Sequence, residues 1–216
     1  MNKVIRCGIV IFIALFLSAC TNENDLPNTM GNPIANSIEE TESLSIGSHP
    51  SKGLEFDLGT ASYDYKGPHY FVSGIGTCTN KDIVIPSTYN NLPVTGIQAS
   101  AFEECTTLKS VVIEEGVMSI GWSSFNKCTS LTKVVIPNSV IRISDAAFLY
   151  CINLKSITLP NSLCEINYAA FAECSSLTTI KFNGTMAQWN NIILGEDWNA
   201  NVPATKVTCT DGEIYF

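Results

Sequence analysis

Residues 94–116 read VTGIQASAFEECTTLKSVVIEEG and residues 117–139 read VMSIGWSSFNKCTSLTKVVIPNS. Residues 140–162 follow as VIRISDAAFLYCINLKSITLPNS and residues 163–185 as LCEINYAAFAECSSLTTIKFNGT. Laid in register, the four stretches share a 23-residue period. Phe102, Phe125, Phe148 and Phe171 make one column, and Cys105, Cys128, Cys151 and Cys174 another. Leu108, Leu131, Leu154 and Leu177 align, as do Ile97, Ile120, Ile143 and Ile166. Three more apolar columns start at Val94, Val111 and Ile113. Columns in register over several copies are the signature of a stacked-repeat architecture.

The spacing within one copy says how the chain runs. Val111-Val112-Ile113 and Ile157-Thr158-Leu159 have the period of two that a strand with one buried face requires. Pro137 and Pro160 follow such strands, and proline cannot donate to a ladder. The Ala-Phe-x-x-Cys segment, with apolar residues three apart, suits a single helical or 3₁₀ turn. One copy alone has no second layer on which to bury its apolar face. Stacked copies cover one another, so the expected fold is a mainly β solenoid with short helical or 3₁₀ turns and a parallel sheet of stacked coils.

Both ends are expected to be caps. Residues 53–93 carry an N-terminal cap and a first strand, Ile83-Val84-Ile85, followed by an inserted loop or hairpin at 87–91. Residues 94–182 hold the four repeats. After Phe182 the period breaks, and residues 183–216 are expected as a C-terminal cap closed by Trp189 and Trp198, with a final strand at Lys206-Val207-Thr208-Cys209.

The N-terminus speaks of export. Lys3 and Arg6 precede an apolar run from Gly8 to Leu17, with small residues after it, as in a secretory signal peptide. The run is shorter than the roughly 20 residues of a membrane-spanning helix. Leu17-Ser18-Ala19-Cys20 resembles the lipobox of bacterial lipoproteins. That resemblance implies a signal peptide at 1–19, a lipidated Cys20 and attachment to the membrane through lipid, in the bacterial outer membrane and at the cell surface. Glu23 and Asp25 resemble the surface-export signals of some Gram-negative lipoproteins. Residues 20–52 read as a polar tether, too poor in apolar surface to offset the entropy of ordering.

The chain has 216 residues and a formal charge of −8, which becomes −10 once Lys3 and Arg6 leave with the signal. An acidic chain with no basic cluster in its sequence argues against nucleic acid as a partner, because phosphate binding needs clustered Lys and Arg. A monomer is the expected state.

Catalysis finds few groups. The two histidines are His49, in the tether, and His69, in the N-terminal cap. No G-x-S-x-G, H-E-x-x-H or phosphate-cradling loop occurs. Glu103-Glu104 and Glu114-Glu115 are sequence neighbours whose side chains diverge, so solvated charge is the expected role. Asn183-Gly184-Thr185 fits a glycosylation acceptor pattern but also a turn that ends the repeats. A coil pitch of about 4.8 Å puts the first and last ladder cysteines roughly 14–15 Å apart, too far for one tetrahedral zinc site. Buried free thiols that pack as small hydrophobes are expected instead, with the pairing of Cys78, Cys164 and Cys209 left open. Neither enzyme activity, metal nor cofactor is expected.

Longer segments now identify a family. Ile83-Val84-Ile85-Pro86-Ser87-Thr88-Tyr89-Asn90, Leu92-Pro93-Val94-Thr95 and Ala101-Phe102 resemble the BspA-like leucine-rich-repeat family. Cys174-Ser175-Ser176-Leu177-Thr178, Phe182-Asn183-Gly184-Thr185 and Cys209-Thr210-Asp211-Gly212 do so too. The resemblance covers about residues 54–216. It implies a leucine-rich-repeat solenoid on the surface of a gut or oral bacterium, adhering to host matrix proteins such as fibronectin or fibrinogen.

Binding requires exposed side chains, and the repeat frame nominates them. Val112, Val135, Thr158 and Lys181 form the outward column of the main sheet, flanked by Ser110, Lys133, Ser156 and Thr179. Thr95, Met118, Ile141 and Cys164 are expected to face out from the second extended segment. Trp122, Tyr150 and Tyr168 fall outside the core columns, and exposed aromatic residues favour interaction surfaces. They also suggest the alternative of a surface glycan-capture protein, since sugars stack on aromatic faces.

Overall fold

A computed structural model describes residues 51–59 and 65–216, all within the compact unit Ser48–Phe216. The expected signal peptide, Cys20, His49 and all of the expected tether except Ser51 and Lys52 lie outside the described residues. The strands are β1 (Glu55–Gly59), β2 (His69–Gly74), β3 (Asp82–Ile85), β4 (Thr88–Tyr89), β5 (Leu92–Ile97), β6 (Ser110–Ile113), β7 (Ser119–Ile120) and β8 (Lys133–Val135). They continue as β9 (Arg142–Ile143), β10 (Ser156–Leu159), β11 (Glu165–Ile166), β12 (Thr179–Phe182), β13 (Ile193–Leu194), β14 (Lys206–Cys209) and β15 (Gly212–Tyr215). One short helix, α1 (Met186–Trp189), precedes β13.

The chain winds as a leucine-rich-repeat solenoid of six coils, each giving one strand to each of two sides. On the first side β2, β5, β7, β9, β11 and β13 pair in parallel. On the second, β3, β6 and β8 form one parallel sheet, and β10, β12 and β14 belong to another. Antiparallel strands cover both ends: β1 lies on β2, and β15 on β14.

The interior follows the columns. Phe102, Phe125, Phe148 and Phe171 are fully buried and stack with ring centroids 5.1, 5.2 and 5.2 Å apart, tilted by 4° or less. That spacing is the coil pitch. Leu108, Leu131, Leu154 and Leu177 are equally buried, as are Val117, Val140 and the Ile120–Ile143–Ile166 row. Each side chain lies on its own kind, so one interior residue type per column suffices to fill the core.

The third side differs from the expected helical or 3₁₀ turn. Residues at two positions per coil adopt left-handed backbone: Ser100, Ser123, Ala146 and Ala169, and four residues later Glu104, Lys127, Tyr150 and Glu173. The N–H groups of Glu103 and Cys105 bond within the coil, to Ser100 and Phe102 carbonyls. Those of Ser100, Phe102 and Glu104 instead bond to Trp122, Ser124 and Asn126 carbonyls of the next coil. Alternate amides therefore build a third inter-coil ladder, which a helix, bonding only to itself, could not provide. Left-handed backbone at a non-glycine residue costs about 1–2 kcal/mol, and the ladder offsets it.

The end regions are themselves coils with insertions. At the start β3 pairs with β6, Ile83 beside Val111, a longer step along the chain than the one from Val111 to Val134. The extra residues form a hairpin, β4 with β5, turning at Asn90 and Asn91, both with positive φ, as a two-residue turn of this kind requires. Its Tyr89 ring stacks on Phe56 at 3.9 Å. At the other end Glu165 pairs with Ile193 and Ile180 with Val207. Residues 183–209 thus add a sixth coil, with α1 as its insertion, and Trp198 meets Phe171 edge-on at 6.3 Å where another phenylalanine would stack. Thr185, in the glycosylation-like triplet, caps α1: its hydroxyl accepts from the Gln188 amide.

Candidate functional site

The second side carries the outward column expected from the repeat frame. Thr158 and Lys181 are exposed and Val112 is half-buried, while Val135 is 40% exposed. Ser110, flanking Val112, is half-buried and donates its hydroxyl to Asp82 at 2.5 Å. Lys133 and Ser156 are exposed. This side is also interrupted. Thr132 bonds through its amide to Lys109, and Thr178 to Lys155, but no ladder joins β8 to β10. A depression of about 350 Å³ opens there, lined by Lys133, Val135, Ser156 and Thr158 among others. The phenylalanine stack passes the same point at an unchanged 5.2 Å, so the interruption belongs to this face alone.

The first side is less open than expected. Thr95, which the frame places outward, is only 3% exposed. At the adjacent Gly96 a built Cβ would lie 3.1 Å from the Phe71 ring of β2. Met118, Ile141 and Cys164 are half-buried.

The three aromatics are exposed, Trp122 by 55%, Tyr168 by 54% and Tyr150 by 43%. They do not assemble. Trp122 and Tyr168 share a column, two coils apart, with Asp145 between them, its carboxylate accepting from the Tyr168 amide. Tyr150 belongs to the column of left-handed residues. Beside it a shallow depression of about 550 Å³ is lined by Glu104, Thr106, Lys127, Thr129, Tyr150 and Ile152, with Lys127 and Glu104 paired at 2.7 Å.

The ladder cysteines are reduced, and Cys128, Cys151 and Cys174 are fully buried. They do more than fill space. Their thiols donate to the carbonyls of Phe102, Phe125 and Phe148 in the preceding coil, at 3.0, 3.2 and 3.1 Å. Burial pushes the Cys128 thiol up to about 12 and the Cys151 thiol well above its ordinary value. A thiol held protonated is neither a nucleophile nor a metal ligand. Cys78 and Cys209, outside the ladder, are also free thiols.

A sequence match now meets this geometry. The family described as BspA type leucine rich repeat region matches in six copies over residues 76–195, more than half of the chain. The chain belongs to this family. The copies equal the coils in number, although the matched residues leave out β2 of the first coil and β14 of the sixth. No curated protein matches the sequence. Among solved structures, a leucine-rich-repeat protein of T. pallidum is 25% identical with a TM-score of 0.62, over 74% of this chain and 70% of that one. One from Bacteroides ovatus is 27% identical with a TM-score of 0.57, over 71% of this chain and 39% of that one. The pneumococcal vaccine antigen PcpA, 16% identical with a TM-score of 0.53, covers 65% of this chain and 33% of its own, and shares the fold. The last two proteins are thus far longer than the segment matched. BspA-type repeats form scaffolds for protein binding, and such scaffolds are typically not enzymes.

The sequence missed one property of the surface. It contains no basic cluster, yet the coil winding gathers lysines from distant positions along the second side. Each is separated from the next by about one coil of chain, which hides the row from any local reading.

Proposed function

We propose that this chain is an exported, lipid-anchored module that binds a protein partner through the outer face of its second side, at the surface of a bacterium. The observation that carries this reading is the contrast between the closed, apolar interior and that face. There Ser, Thr, Val and Lys side chains stand in regular columns, exposed or half-buried. A solenoid offers such columns as one extended binding surface. Lipid attachment is supported by Leu17 to Cys20 and by the export signal before it. The family resemblance supports adhesion to host matrix proteins such as fibronectin or fibrinogen.

Two experiments test the proposal. Cys20→Ser should move the protein from the membrane fraction to the soluble fraction; a variant that stays in the membrane fraction overturns the lipid anchor. Cells displaying the full chain should bind fibronectin or fibrinogen saturably, and should lose that binding after surface proteolysis. Absence of binding to either protein would remove the adhesion role.

A further inference from the structure

Ten lysines occur in the chain, and six of them fall on the second side, one in each coil. Lys81 immediately precedes β3, Lys109 precedes β6 and Lys155 precedes β10; Lys133 opens β8, Lys181 lies within β12 and Lys206 opens β14. The first five in chain order are exposed, and they make no ion pair among the described residues. Lys206 pairs with Glu213 at 2.7 Å. Five coil steps, each near the usual ~4.8 Å between neighbouring strands, spread the row over roughly 25 Å.

Carboxylates are sparse on this face and abundant on the third side. Asp82 and Glu213 are the acids on the strands of the second side. Glu114 and Glu115, in the turn after β6, are engaged by the amides of Ser87, Asn138 and Ser139. Glu103, Glu104, Asp145, Glu173, Glu196 and Asp197 all lie along the third side or its continuation in the sixth coil. An acidic chain thus separates its charges by side. Clustered charge of one sign steers an oppositely charged partner and fixes how it docks.

We propose that this lysine row recognises an acidic polypeptide segment lying extended along the solenoid axis. The proposal rests on the protein-binding reading above and names the chemistry of the partner. A strand rises about 3.3 Å per residue, so the row accommodates about eight residues. Half-exposed Val112 and Val135 alternate with lysines and hydroxyls on the face, which suits a chain carrying both apolar and carboxylate side chains. The depression at Val135, Ser156 and Thr158, where the sheet is interrupted, gives one such apolar side chain a place to enter. Nucleic acid is less well matched. Single strands are held by stacking on aromatic rings, and the aromatic residue on this face, Tyr215 of β15, lies beneath the Lys206 ammonium at 5.6 Å.

The test uses the full chain in detergent and a fluorescent ten-residue peptide alternating glutamate with valine, followed by anisotropy. Binding should weaken about tenfold between 50 and 300 mM salt, as screening predicts. The triple variant Lys109→Gln, Lys133→Gln, Lys155→Gln should weaken it by at least about tenfold at 50 mM salt. Lys127→Gln, on the third side, should leave it unchanged, with circular dichroism reporting an unaltered fold for both. Equal affinity in the triple variant overturns the proposal, as does a wild-type chain that ignores the peptide. Tighter binding of heparin or of a ten-nucleotide single strand than of the peptide overturns the polypeptide assignment. A triple variant that still binds fibronectin or fibrinogen sinks the lysine row alone, whereas a wild-type chain that binds no protein sinks the wider reading.

Discussion

Ser124 occupies a position that is alanine in the adjoining coils, at Ala101 and Ala147. It is fully buried, and its hydroxyl has no hydrogen-bond partner. A buried hydroxyl without a partner costs about 1–3 kcal/mol by mutational measures. Ser124→Ala removes that hydroxyl and leaves the shape its neighbours already accept. The variant should therefore be more stable by about 1 kcal/mol, read as a higher denaturant midpoint with an unchanged slope. An unchanged or lower midpoint would mean that the hydroxyl is satisfied by a buried water. The backbone of the third side was the least legible part of the sequence at this scale. In the four 23-residue repeats its left-handed positions are filled by Ser, Ala, Glu, Lys and Tyr, none of which announces positive φ as glycine or asparagine would. Spacing alone made the segment resemble a helical turn.

At the scale of the element, the cysteine column joins successive coils through its thiols as well as through packing. Each bond from a thiol to the preceding phenylalanine carbonyl requires the proton to stay on sulfur. Cys128 keeps it up to about pH 12 because burial penalises the thiolate, whereas an unfolded cysteine releases it near 8.5. Below that lower value both states are protonated and the contribution is complete. Between the two values the unfolded chain binds fewer protons, so stability falls as pH rises, on the order of 1 kcal/mol per pH unit. Chemical denaturation at pH 8 and pH 10.5 should show this loss, and Cys128→Ala should show less of it. An equal loss in the variant would assign the alkaline sensitivity to groups other than Cys128. The columns were readable beforehand because an apolar repeat leaves the same residue type at each step. The bond from sulfur to carbonyl was not, because a buried cysteine looks the same in sequence with or without an acceptor.

At the scale of the whole molecule, the strand pairings of the described residues join neighbouring coils, so the stability of the solenoid is close to a sum over coils and their interfaces. The repeat was legible from Val94 to Phe182 because its length there is constant. The first and last coils were not, because the β4–β5 hairpin and α1 make them longer than the rest. The lysine row was hidden for a related reason, since its members occupy several offsets within the coil and each alone is an ordinary solvated residue. The coil sum has a sharp consequence. Deleting residues 117–139 removes one whole coil and joins Gly116 to Val140, so Phe102 can stack on Phe148 as it did on Phe125, with β6 beside β10 and β5 beside β9. The shortened chain should fold, with a denaturant slope lower by roughly one-sixth, because the slope follows the surface exposed on unfolding. Deleting residues 117–128 removes about half a coil, throws every later column out of register and places polar residues against the phenylalanine stack. That chain should not give a cooperative transition. Cooperative folding of both deletions, or of neither, would contradict a solenoid held together coil by coil.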